Sequence, residues 1–239
     1  MKPCHLNLKR VRITAMITDL ALLRLLQLVS AGLPIGMYSY SQGLERAVHD
    51  GWVSNAEQAA EWLHGIMSNT LTKTDIPILL RLYDAWSNQD NEQLMNWSNT
   101  LTVFRETSEL RAEDRQTGQA LARLLNDLGI TEAQPWLRQP NASLATLFSL
   151  AAVHWQIPKQ QAAMGYLWSW LDNQVLCAVK LIPLGQVAGQ RLLTELSQHI
   201  PTQINHAFQL NDDDIGGSSF ALALASSRHE MQYSRLFRS

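Results

Sequence analysis

Apolar residues along this chain recur at helical spacing far more often than they alternate, and the breaks between the runs carry helix punctuation rather than hairpin signals. Asp19 precedes an apolar run over residues 20–29. Its apolar side chains occupy nearly every face except those of Arg24 and Gln27, which predicts burial on most sides. Gly32, Pro34 and Gly36 end it. A second helix is expected over about residues 41–49, stopping at Gly51. Ser54 with Glu57 reads as a capping box for a helix reaching about Thr70, and Pro77, just after Thr74 and Asp75, is placed for the first turn of the next, to about Trp86.

Asp90 with Gln93 marks a further capped start, after which the helical pattern continues, with a break near Asn99, to Leu128 and a stop at Gly129. Leu110, Leu121, Leu124 and Leu128 share one side of it. A Pro-bounded connector over residues 134–140 leads into two apolar helices, residues 143–155 and 158–181. The second sets Met164, Leu167, Trp168, Leu171 and Val175 on one side as core. Residues 182–185 break the run before a helix over about 186–200 and a short one after Pro201. Residues 211–219 hold three Asp, two Gly and two Ser and read as a mobile surface loop; residues 221–225 are helical in pattern, and the chain beyond has no apolar stripe to secure it.

The expected fold is therefore all-α: a single-domain multi-helix bundle of about ten helices over residues 19–210. It carries a flexible N-terminal tail over residues 1–18 and, over residues 211–239, a mobile loop, a short helix and an extended C-terminal tail. No period implies a solenoid. At 239 residues and 46% hydrophobic, such a chain buries a substantial core.

A formal charge of −2 and the lack of a long basic stripe argue against general nucleic-acid binding. The longest apolar runs are about half of a bilayer span, and the basic residues Lys2, Lys9, Arg10 and Arg12 precede no convincing cleavage site. Met16 offers an alternative start. Cys4 and Cys177, far apart, suggest no disulfide framework and fit a reducing, cytoplasmic setting. No nucleophile–base pair or metal-ligand spacing stands out, and the glycines of residues 185–190 lack the Gly-Lys-Ser/Thr ending that holds nucleotide phosphates. The residue pattern thus points to no enzyme, no metal site and no tightly bound cofactor.

Two segments depart from this bland background. Residues 105–115 hold seven charges in eleven positions. On a helix at about 100° per residue, Glu106, Glu109 and Glu113 share a narrow sector, with Arg111 and Arg115 roughly opposite. Like charges four apart repel, so Arg105, Glu106, Glu109, Arg111, Glu113 and Arg115 are candidates either for partner contact or for bracing the fold. The second segment, residues 226–239, is basic and rich in Arg and Tyr, with Leu236 and Phe237 close by. Those residue types suit order on binding; the alternative is a tail folded back onto its own domain.

With Leu33-Pro34-Ile35-Gly36, Tyr40-Ser41-Gln42-Gly43-Leu44-Glu45, the run from Arg105 to Arg111, and Lys180-Leu181-Ile182-Pro183-Leu184-Gly185-Gln186, this tail makes the chain recognisable. From about Leu20 onward it resembles the UreF family of urease accessory proteins, although Met37 stands where members often have a smaller residue. The resemblance implies a non-enzymatic, dimerising all-α chaperone that joins UreD (also called UreH) and the GTPase UreG. The complex acts on urease apoprotein so that nickel enters its active site, with GTP and magnesium bound by UreG. It further implies that Arg228, His229, Tyr233, Arg235, Leu236, Phe237 and Arg238 order against UreD. A GTPase-activating or fidelity-checking role on UreG, with Arg111 or Arg235 as the inserted arginine, is the alternative.

Overall fold

The computed structural model describes residues 16–239; Cys4, His5 and most of the expected N-terminal tail lie outside the described residues. Eleven α-helices and no strands are found among the described residues, packed as one all-α domain. They are α1 (Asp19–Leu28), α2 (Leu44–His49), α3 (Ala56–Ile66), α4 (Ile76–Asn88), α5 (Asn91–Phe104), α6 (Ser108–Asp127), α7 (Leu144–His154), α8 (Lys159–Leu181), α9 (Gln186–Ser197), α10 (Ile200–Ala207) and α11 (Phe220–His229).

Helix α7 lies at the centre, and residues 145–152 are all buried. It has no polar face to spare because α4, α6 and α8 surround it. Its few polar groups are consumed locally. Ser143 accepts from the Thr146 amide at 3.0 Å as N-cap, and the Thr146 carbonyl receives the Trp86 indole N–H at 2.9 Å. Asp90 caps α5 as the pattern predicts, accepting from the Gln93 amide at 3.0 Å.

Helix α1 corrects the expectation of burial on most sides. Ala21 and Leu28 are buried, but Leu20, Leu22, Leu23 and Leu26 are 64, 43, 62 and 55% exposed. Only one face meets the bundle, so an all-round apolar pattern here marks an uncovered surface. The expected start of α2 at residue 41 also moves. Gln42 and Gly43 take left-handed backbone (φ +49° and +76°), and a Cβ on Gly43 would lie 3.1 Å from Ala225, so the glycine both turns the chain and lets α11 approach.

The helix expected to end near Thr70 and the one expected to open at Pro77 are one. Residues 67–75 form a π-helical segment joining α3 to α4 without leaving helical backbone angles. A proline clashes with the carbonyl four residues back and donates nothing to it; the wider π turn accommodates the ring. The Lys73 carbonyl instead accepts from the Gly216 amide at 2.9 Å, and Thr74 donates to the Gly217 carbonyl at 3.1 Å. The 211–219 segment, read as a mobile loop, is thereby stitched to the helix, although Asp212, Asp213 and Asp214 stay exposed.

The break expected near Asn99 falls instead at residues 105–107, where Thr107 caps α6 by accepting from the Leu110 amide at 3.2 Å. Leu110 and Leu121 are buried as expected, whereas Leu128 is 49% exposed at the fraying end.

Candidate functional site

The charged segment and the C-terminal segment meet each other. Because α6 begins only at Ser108, Glu106 lies outside the helix and is exposed, while Glu109 and Glu113 face the chain's last residues. Their setting is built by three elements: the N-terminal half of α6, the short helix α2 with the turn before it, and α11 running into residues 230–239.

Glu45, an acid in the first turn of α2, is the receptor for the tail. One carboxylate oxygen accepts from the Leu236 amide at 2.8 Å and the Gln232 side chain at 3.2 Å; the other accepts from the Phe237 amide at 2.9 Å. The fully buried His229 imidazole lies between Glu45, 3.4 Å from Nε2, and Glu109, 2.7 Å from Nδ1. Carboxylate oxygens only accept, so both contacts are complete when both ring nitrogens carry protons. Arg235 closes the arrangement: Nη1 donates to Glu109 at 2.6 Å, Nε to the Gln232 carbonyl at 2.8 Å and Nη2 to the Glu230 carbonyl at 2.6 Å.

Glu230 accepts from the Ser108 amide at 2.9 Å and the Ser108 hydroxyl at 2.7 Å, so a tail carboxylate sits at the positive end of α6. The Ser108 hydrogen bonds hold its pKa below the usual range. Further along, the Arg238 amide donates to the Ser39 carbonyl at 2.8 Å, and the Ser239 carbonyl accepts from both the amide and hydroxyl of Ser41, at 2.9 and 2.6 Å. Phe237 is buried beneath Lys180, whose ammonium lies 5.7 Å from the ring centroid. Arg228 pairs with Asp50 at 2.8 Å.

Beneath the tail lies a polar interior. Glu113 accepts from Gln42 at 2.8 Å and from the Ser239 hydroxyl at 2.9 Å, and burial pushes its carboxyl up to about 7, against the pull of those two donors. Arg105 bridges two buried acids, Asp75 at 2.5 Å and Asp114 at 3.0 Å, whose charges hold its guanidinium pKa well above the ordinary value despite its burial. Asp114 also accepts from the Leu144 amide at 2.9 Å, tying α6 to the start of α7. A cavity of about 60 Å³ separates these groups from Thr70 and Tyr166.

The sequence-selected residues therefore divide by position. His229 and Phe237 are buried within this chain, and Arg228 and Arg235 are half-committed to its carboxylates. Tyr233 at 103%, Leu236 at 65% and their neighbour Met231 at 87% point to solvent. Arg105 and Glu113 are inside; Glu106, Arg111 and Arg115 are outside. Sequence reading missed Glu45, Asp75 and Asp114. Glu45 stands out in the sequence only as part of the block from Tyr40 to Glu45, and an acid in a first helical turn looks ordinary. Asp75 resembles a cap before Pro77, and Asp114 resembles one more solvated charge.

Among the described residues no three His, Cys, Asp or Glu side chains gather as a metal cage, and no helix is long and apolar enough to cross a membrane. Nor does the acid cluster form an acid–base pair facing an open cleft; its members are held by amides, arginine and histidine. The arrangement is suited to presenting a shaped surface on a braced segment.

The family model described as UreF matches residues 53–197, more than half of the chain. A urease accessory protein UreF of Alkalilimnicola ehrlichii is 52% identical over 220 residues, covering 92% of this chain and 96% of its own length. Those of Hahella chejuensis and Pseudomonas putida strain W619 are each 48% identical, over 92 and 93% of this chain and 99% of theirs. A tail block, a charged block and a glycine turn that converge in space, on a chain so extensively similar to these proteins, place it in a family: the chain belongs to the UreF family of urease accessory proteins.

Proposed function

We propose that this chain is a non-enzymatic urease maturation chaperone in the cytoplasm, bridging UreD (UreH) and the GTPase UreG in a complex that promotes GTP-dependent nickel incorporation into urease apoprotein. In this reading the chain binds no cofactor of its own; UreG holds GTP and magnesium, and nickel is cargo of the complex. The observation that carries the reading is the tail's split character. Its backbone is clamped by Glu45 and Ser41, while Met231, Tyr233 and Leu236 stand out from it. An apolar and aromatic group held exposed by a rigid base is what a protein interface uses as anchors.

Tyr233→Ala with Leu236→Ala tests this better than truncation, because removing residues 226–239 would also take away the buried His229 and Phe237. The double variant should fold normally and lose co-purification with UreD. Unchanged co-purification would sink the tail assignment. The uncovered leucines of α1 support self-association as a homodimer; Leu23→Glu with Leu26→Glu should yield a monomer in sedimentation analysis.

The second reading, an arginine supplied to UreG, is narrowed by geometry. Arg235 has Nε, Nη1 and Nη2 engaged within the chain, whereas Arg111 is exposed and donates from Nη1 to the Arg105 carbonyl at 2.6 Å. Arg111→Ala that left UreG hydrolysis unchanged would remove this reading.

A further inference from the structure

The clamp around residues 229–239 is balanced in charge only when it carries two exchangeable protons. Three carboxylates face it: Glu45 from α2, and Glu109 and Glu113 from α6. The C-terminal segment brings Arg235 and the His229 imidazole. With Glu113 neutral and both His229 nitrogens protonated, two carboxylates meet two cations. With both protons gone, three carboxylates meet Arg235 alone. The His229 ring, left with one N–H, can then donate to Glu45 or to Glu109 but not to both.

No neighbouring element makes up the difference. Arg105, beneath Glu113, is already outnumbered by Asp75 of α4 and Asp114 of α6. Lys180 of α8 and Arg238 of the tail are exposed, so water and salt screen them. Arg46 and Arg228 are both committed to Asp50. Burial raises the pKa values of Tyr40, Tyr166 and Cys177, which keeps all three neutral, while Glu230 stays ionised against Ser108.

Both protons sit where the docked segment covers them. His229 and Ser239 are fully buried. The Ser239 hydroxyl closes over Glu113 at 2.9 Å, and Gln42 donates to it from the other side at 2.8 Å. Undocking returns carboxyl and imidazole to water, where a carboxyl ionises in its ordinary range and a histidine changes charge near neutrality. We infer that the C-terminal segment is a proton-held latch, docked on α2 and α6 while Glu113 and both His229 nitrogens carry protons and released as pH rises. The inference rests on the reading that this segment presents Met231, Tyr233 and Leu236 to UreD, because release would remove the base that holds them out.

The sign is the same at both groups. Burial lifts the Glu113 carboxyl from 4.5 to about 7, so the docked state holds a proton that the released state gives up between those values. Docking then weakens by at most about tenfold per pH unit in that window. The second ring proton of His229 completes the docked arrangement, and its loss acts in the same direction.

Hydrogen exchange on the full, isolated chain tests the latch, with protection factors measured from about pH 5 to pH 8 so that the intrinsic exchange rate divides out. Protection at residues 236–239 should fall by about tenfold or more across that range, while α7 keeps its own. Glu113→Gln is neutral throughout and retains an oxygen for Ser239; its tail protection should fall less steeply. Ring-nitrogen NMR shifts of His229 should show both nitrogens protonated wherever the segment is docked. Tail protection independent of pH in the parent would overturn the latch, as would equal slopes in parent and variant, or a singly protonated His229 in the docked state. Equal loss in α7 would overturn it too, since the whole fold would then be titrating. Should Glu113→Gln fail to fold, the parent's tail-against-α7 comparison and the ring shifts decide. UreD takes no part in these measurements, so a failed latch leaves the proposed function standing, and a chain that does not bind UreD leaves the latch standing.

Discussion

Glu45→Gln is the sharpest single perturbation of the tail. The side chain is nearly isosteric, so no cavity forms; what changes is that one of two acceptor oxygens becomes an NH2 and the charge is lost. Three donors converge on this group, the amides of Leu236 and Phe237 and the Gln232 side chain, and the Phe237 amide is buried. A buried donor left without a partner costs about 1–3 kcal/mol, and the surviving bonds lose the roughly twofold advantage of a charged acceptor. A combined cost of about 3 kcal/mol on tail docking follows, which raises the fraction of released tail by roughly two powers of ten at 1.4 kcal/mol per tenfold.

Amide hydrogen exchange read by mass spectrometry checks it. Protection at residues 236–237 should fall about a hundredfold, while α7 amides keep theirs, because the clamp opens as a local unit. Unchanged protection in the tail would refute the role given to Glu45. Equal loss in α7 would refute the local character of the clamp.

Burial lifts Glu113 from 4.5 to about 7. The unfolded chain ionises this group first while the folded one keeps its proton, so the stability it contributes is present below about pH 4.5 and is lost as pH rises toward 7, worth about 3 kcal/mol at most. Glu113→Gln should flatten that part of the stability profile measured by denaturant titration. Gly118→Ala sets a methyl into the Ala142 carbonyl and should cost about 3 kcal/mol or more, since backbone must yield; a thermal midpoint within a degree or two of the parent would contradict the contact. Arg105→Ala strands Asp75 and Asp114 together inside the bundle and should cost about 3–5 kcal/mol, visible as a large fall in the denaturation midpoint.

The all-α class was legible because helix signals are local: Asp90 and Ser143 announce their caps within three residues. Pro77 misled because its usual meaning, a first turn, depends on what happens to the carbonyl four residues earlier. Here a partner 143 residues away in sequence, Gly216, resolves it. Helix α1 misled for a different reason. Apolar residues all round predict burial only if the chain itself supplies the cover.

At the site, the tail and the charged block could be picked out by composition, and Glu109 and Glu113 do share a side. Glu106 does not join them, because the Thr107 cap starts the helix two residues later than the charge pattern suggests. The receptors Ser41 and Glu45 were invisible as such; they lie 198 and 191 residues from the groups they bind, and no local periodicity encodes that distance.

The π-helical join between α3 and α4 has one more consequence. In an α-helix each residue turns the chain by about 100°, so deleting one residue from the middle of α7 or α8 would swing every later side chain off its face. A π turn spends more residues per revolution and so holds slack. Shortening residues 67–75 by one can tighten the wide turn toward α geometry and leave the apolar faces of α3 and α4 close to their present bearing. The long helix thus carries an adjustable joint, and its setting governs how far Asp75 reaches toward Arg105 and where the Lys73 carbonyl meets the strand of chain that leads to the tail.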